Sequence, residues 1–101
     1  MQKVGEITIV ATGVQLTAGA ATSRVAIPTQ AAGGVAKIVR IMAAGTCYIR
    51  PGDSTINAVA TDIFLTANEA IILNVSGCTH IAGLRVGGAD VLVNISPVEV
   101  S

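Results

Sequence analysis

The chain has 101 residues, of which 12 % are charged and 51 % hydrophobic, and its six basic and six acidic side chains cancel. That length suits one domain with a single core, and zero net charge excludes attraction of the whole molecule to a phosphate backbone or an anionic bilayer. The most apolar stretch, residues 70–84, is interrupted by Asn74, Ser76, Thr79 and His80, so the 18 or more consecutive apolar residues of a spanning helix are missing.

Met1-Gln2-Lys3-Val4-Gly5-Glu6 offers no apolar h-region and no small-residue cleavage site, and no signal peptide is expected there. From that point the chain reads as short β-branched runs separated by Gly, Pro, Asn and Asp, with no helix of ten residues or more. Residues 6–10 and 14–17 form brief strands around Thr12-Gly13, with 1–21 expected as an N-terminal arm or edge hairpin of a domain spanning 1–101. Residues 23–27 form the next strand, which Pro28 ends by removing a backbone donor. Residues 29–34 are a loop. Strands over 35–42 and 46–50 flank Ala43-Ala44-Gly45, a connection of hairpin length.

Arg50-Pro51-Gly52-Asp53 reads as a turn, since Pro presets φ and Gly accepts positive φ. Residues 55–60 are expected as a weak edge strand and 62–65 as a short one. The nearly continuous apolar run 70–75 suits a strand covered on both sides. Strands over 80–86 and 89–95 flank Gly87-Gly88, read as a tight hairpin turn. In the last strand Val91, Val93 and Ile95 share one face and Leu92, Asn94 and Ser96 the other, with Pro97 as its end. About eight short strands at roughly ten-residue spacing, with no fixed repeat, predict an all-β fold: a small antiparallel β-sandwich or jelly roll.

Two features of composition point towards an assembly. An ordinary soluble domain is about 25 % charged, whereas here each charge must serve about 440 Å² of the roughly 5,300 Å² surface expected for 10.1 kDa. That is close to the size at which apolar area marks an interaction site. Aromatics are limited to Tyr48 and Phe64, so the core must be aliphatic and thin, and burial between subunits would offset its modest stabilisation.

Little chemistry is encoded. Cys47 and Cys78 are expected as buried free thiols rather than a disulfide. With His80 they give no metal-ligand spacing, and His80 is expected half-buried, bonded to a backbone group at a strand start. On a strand, Cys78 and His80 would share a face, the only hint of a nucleophile and base. Asp53, Asp62, Glu69 and Asp90 fall at turns, where carboxylates bond their own backbone. Gly33-Gly34-Val35-Ala36-Lys37 lacks the spacing and the Ser or Thr of a phosphate loop. The sequons at Asn74 and Asn94 are coincidences in a chain expected to lack a secretory signal. Arg24, Arg40, Arg50 and Arg85 lie within or at the ends of strands among apolar neighbours. They are the candidate interface residues, one or two of them expected to bridge subunits; the alternative is snorkelling from a solvated face.

Six pieces of the chain recur in a characteristic order: Val39-Arg40-Ile41, Gly45-Thr46-Cys47-Tyr48-Ile49-Arg50-Pro51-Gly52, Ala60-Thr61-Asp62 with Leu65, Thr79-His80-Ile81-Ala82, Gly88-Ala89, and Val93-Asn94-Ile95-Ser96-Pro97. From Thr22 onward this order resembles the small capsid decoration, or cement, proteins of tailed bacteriophages, with residues 7–23 less matched. The resemblance implies a jelly roll or related sandwich on the capsid exterior, assembled in the host cytoplasm. It implies a homodimer or homotrimer that binds the major capsid protein and stabilises the shell against internal DNA pressure. It implies no enzymatic activity and no cofactor, and no functional residue is carried over by motif; that no metal, nucleic acid or membrane is a partner is expected from the spacing and composition above. A tail or neck component, a carbohydrate-binding adhesion module of the virion, and a cysteine-dependent enzyme built on Cys78 and His80 are the alternative expectations.

Overall fold

In a computed structural model, which describes residues 7–9, 13–30 and 33–100, the chain is an antiparallel β-sandwich without a helix among those residues. Nine strands are present: β1 (Ile7–Ile9), β2 (Val14–Ala18), β3 (Ser23–Ala26), β4 (Ile38–Ala43), β5 (Cys47–Gly52), β6 (Ile63–Leu65), β7 (Ala70–Asn74), β8 (His80–Arg85) and β9 (Val91–Val100). Sheet I has the order β1-β9-β4-β7, and β2 also pairs with β9; sheet II has the order β3-β8-β5-β6. The solvent-accessible surface is 5318 Å², close to the value expected for a monomer of this mass.

The pairings are nested. β2 pairs with β9, β3 with β8, β4 with β7 and β5 with β6, all antiparallel, as in a long ribbon folded over upon itself. Consecutive strands therefore mostly alternate between the sheets, and this overturns two expected hairpins. Ala43-Ala44-Gly45 carries the chain from β4 in sheet I to β5 in sheet II, and Gly87-Gly88 lies in the crossing from β8 to β9. Positive φ among the glycines occurs instead at Gly33, Gly34 and Gly77.

Alternation puts the core between the sheets. Leu16, Ala18, Val39, Ile41, Ala43, Val91, Val93 and Ile95 from sheet I meet Cys47, Ile49, Leu65 and Ile81 from sheet II. As composition requires, this interior is aliphatic. Tyr48 and Phe64 pair outside it, directly opposite each other with ring centroids 5.7 Å apart, an arrangement that favours aromatic contact. Part of segment 1–21 belongs to the sandwich: Leu16 and Ala18 of β2 are fully enclosed.

Other local expectations change for physical reasons. Pro97 does not end β9, because it falls where the neighbour on one side changes from β2, which pairs with 91–95, to β1, which pairs with 98–100, so no rung on that side needs its missing N–H. β5 runs through Pro51 to Gly52, and the turn starts at Asp53. Residues 55–60 form no strand, since their polar groups bond side chains and turns rather than a ladder. Val35 makes only an isolated bridge to Thr29 before β4 begins at Ile38. β7 is not covered on both sides: it is the edge of sheet I and exposes Ala70, Ile72 and Asn74 on one face.

Candidate interaction surface

The outer faces of the two sheets are treated differently. Gly83 faces inward, towards Leu16, so its neighbour Ala82 points outward from sheet II, yet Ala82 is 0 % exposed. The cover is the chain's own β5–β6 connection. Asp53 opens it by accepting bonds from the Thr55 amide (2.8 Å) and hydroxyl (2.7 Å), and these hold its carboxyl below the ordinary value. Further along, Arg24 Nε donates to the Ile56 carbonyl and its Nη2 to Asn57 Oδ1, each at 2.9 Å. The Ala58 amide donates to Thr22 Oγ1 at 2.8 Å, and Asp62 closes the segment by accepting from the Val59 amide at 2.7 Å. The connection thus crosses sheet II and is fastened at β3.

Nothing in the described chain covers sheet I in this way. Register places Gln15, Thr17, Leu92, Asn94, Met42, Arg40, Ile38, Ala70, Ile72 and Asn74 on its outer face. Leu92 is 53 % exposed and Ile72 45 %. Arg40 is the one charged residue in that set, and no acid shares the face among the described residues. Ser96 lies opposite Arg40 but is buried, because the chain at Gly13 passes so closely that a Cβ there would sit 2.9 Å from Ser96 Oγ. A hollow of about 310 Å³ opens on the face between Gln15, Met42, Leu92 and Asn94. A larger one, about 640 Å³, adjoins it at the loop end of the sandwich, lined by Gly45, Thr46, Phe64, Val86, Asp90 and Val91.

The four arginines singled out from the sequence do not gather. Arg24 fastens the β5–β6 connection, Arg50 lies 3.8 Å from Asp62, and Arg85 pairs with Asp90 at 2.8 Å. Arg40 alone finds no oxygen among the described residues, its guanidinium contacting Met42 Sδ at 3.7 Å. Ile72, Met42 and Leu92 were not among the candidates. Leu92 was legible in the alternation of 91–96, whereas the unbroken apolar run 70–75 hid the exposure of Ile72.

Catalytic chemistry finds no constellation here. Cys78 precedes β8 and packs against the core, while His80 opens β8 on its outward side and bonds the Thr79 hydroxyl through Nδ1 at 2.9 Å. The strand geometry that would align Cys78 and His80 therefore does not apply, and His80 meets a side-chain partner rather than a backbone one. Both cysteines are free; burial pushes the Cys47 thiol upward. They sit at opposite ends of β5, since Cys47 opens it and Thr79, next to Cys78, bonds Gly52 at its close, a span of about 17 Å. No group of three or more potential metal ligands forms among the described residues. Asp53, Asp62 and Glu69 each serve a turn, Glu69 through the Thr66 hydroxyl. No protein-family model matches the chain, and no curated protein or solved structure is significantly similar to it.

Proposed function

We propose that this chain is a non-enzymatic structural protein of a tailed-phage virion, a decoration protein that self-associates on the capsid exterior and binds the major capsid protein. The observation that carries the reading is the outer face of sheet I, which no described residue wraps and which is almost uncharged, beside a sheet II that is wrapped by its own connection. A face of this kind favours a protein neighbour over water. The nested pairing β2·β9, β3·β8, β4·β7, β5·β6 supports the finer architectural reading of a jelly roll, the fold that the resemblance implies.

The test pairs light scattering of the purified protein with co-sedimentation on expanded capsids of the phage whose genome carries the gene. A defined oligomer that sediments with the shells is expected; a well-dispersed monomer that stays in the supernatant overturns the proposal. A tail or neck location would show as binding to those parts and not to the shell. One observation favours a second reading, a carbohydrate-binding module: Phe64 is 54 % exposed at the rim of the larger hollow, near Asp90 and Thr46, where a sugar face could stack. A glycan array without hits removes it.

A further inference from the structure

We infer that Arg40 is the polar anchor through which the outer face of sheet I docks on a protein surface that presents a carboxylate. This rests on the structural-protein reading above and names the partner chemistry of its uncovered face. Arg40 sits on β4, between Ile72 of β7 and Ser96 of β9. Its guanidinium carries five donors, and the thioether of Met42 at 3.7 Å is a weak acceptor for one of them. Of the other three arginines, Arg24 and Arg85 each bond an oxygen within the chain, and Arg50 forms a 3.8 Å ion pair with Asp62. The four described acids outside the terminal strands are likewise engaged: Asp53 with Thr55, Asp62 with Val59 and Arg50, Glu69 with Thr66, and Asp90 with Arg85. Among the described residues Arg40 is therefore both half-buried and without an oxygen partner.

A neighbour that covers Ile72, Met42 and Leu92 with apolar surface must also cover Arg40. Desolvating a guanidinium without a partner is strongly unfavourable, so that neighbour must bring an acceptor, and a carboxylate matches the planar fork with two parallel bonds. A second copy docked face to face brings two Arg40 side chains and, from the described residues, no acid. A nucleic-acid backbone is read by several cations, not by one on a neutral face. The occupant that satisfies both the apolar and the charged parts is a different protein with an Asp or Glu set among apolar residues.

Co-sedimentation with expanded capsids tests this with wild type, Arg40→Met, Arg40→Lys, Arg40→Glu and a control on the opposite sheet, Ser54→Glu in the exposed β5–β6 connection. Arg40→Met keeps the length and apolar stem of the side chain, and weakens shell binding by about 30-fold or more, as expected for one member of a buried charge pair. Arg40→Lys falls between wild type and Arg40→Met, Arg40→Glu abolishes binding, and Ser54→Glu leaves it unchanged. Melting temperatures identify any variant that fails to fold, and Arg40→Met and Arg40→Lys then carry the comparison. Shell binding by wild type and all Arg40 variants alike overturns the anchor while leaving the virion reading intact. Failure of wild type to bind shells overturns the decoration reading and the anchor with it. Loss of self-association in Arg40→Glu with shell binding intact assigns the face to a second copy and overturns the carboxylate partner.

Discussion

Replacing Gly83 by alanine probes how closely the two sheets approach. Gly83 lies inward on β8, and a Cβ there would sit 2.8 Å from Leu16 Cδ2, 3.5 Å from Leu16 Cγ and 3.4 Å from Ala18 Cβ. Carbon atoms pack best at about 3.5–4.0 Å, so the Leu16 methyl must retreat by about 0.7 Å or more. It has little room, because Leu16 is only 3 % exposed and belongs to the central cluster. Overpacking of this kind costs about 1–3 kcal/mol. Gly83 does not have positive φ, so alanine adds no backbone strain, and the smaller freedom of the unfolded chain returns about 0.4–1 kcal/mol. The net loss lies between roughly 0 and 2.6 kcal/mol and centres on about 1.3 kcal/mol, seen in urea unfolding and as a fall in Tm of about 5–10 °C at that centre for a domain of this size. Leu16→Ala alone should cost about 2–5 kcal/mol. In the double variant the new methyl enters the vacated space, giving a favourable coupling of about 1 kcal/mol or more. A Gly83→Ala protein more stable than wild type, or single costs that simply add in the double variant, would refute the close approach of β8 to β2.

Further outcomes follow from the same geometry. In native protein a thiol reagent should leave Cys47 unmodified, since it is enclosed and its thiol is pushed upward, and it should label once denaturant is added; rapid labelling of Cys47 in the folded state would contradict the core. For Asp53, the Thr55 hydroxyl is the leading cause of the lowered carboxyl pKa. Its contribution to the fold is thus complete above the unfolded value and lost as pH falls through the lower folded one. An NMR titration should place Asp53 below 3.8 in wild type and nearer 3.8 in Thr55→Val; equal midpoints in the two proteins would remove Thr55 as the cause. Arg24→Ala should free the strap over sheet II, raising amide exchange at Ala58 and Val59 without a matching fall in global stability. Unchanged protection there would mean that Thr22 and Asp62 hold it alone.

Several elements were readable from the chain because their signals are local. Val91, Val93 and Ile95 alternate with Leu92, Asn94 and Ser96, and the structure buries the Val91 side of β9. Pro28 stands just beyond β3, and Asp53 and Asp62 bond turn amides where turn residues cluster. The failures share a cause as well. Gly87-Gly88 and Ala43-Ala44-Gly45 have hairpin composition, but a short loop that crosses between sheets uses the same residues as one that joins neighbours within a sheet. The run 70–75 lacks alternation, so its pattern could not distinguish a covered strand from an edge.

The candidate site lay still further from the sequence. All four arginines are alike in setting, among apolar residues on strands, and only tertiary contacts separate the three with oxygen partners from Arg40. The local pattern of β-branched runs and turn residues determined that the fold would be β, and composition that its core would be aliphatic and that charge would be too scarce to clothe the surface evenly. Alternation and turn chemistry extend over a few residues, and they settle such properties directly. Which strands became neighbours, which sheet gained a cover from the β5–β6 connection, and where the one arginine without an oxygen partner among the described residues came to stand depend on contacts between residues far apart in the chain, such as Arg24 with Ile56 and Arg40 with Ile72 and Ser96. Those contacts exist only once the ribbon has folded over, so tertiary structure alone decided them.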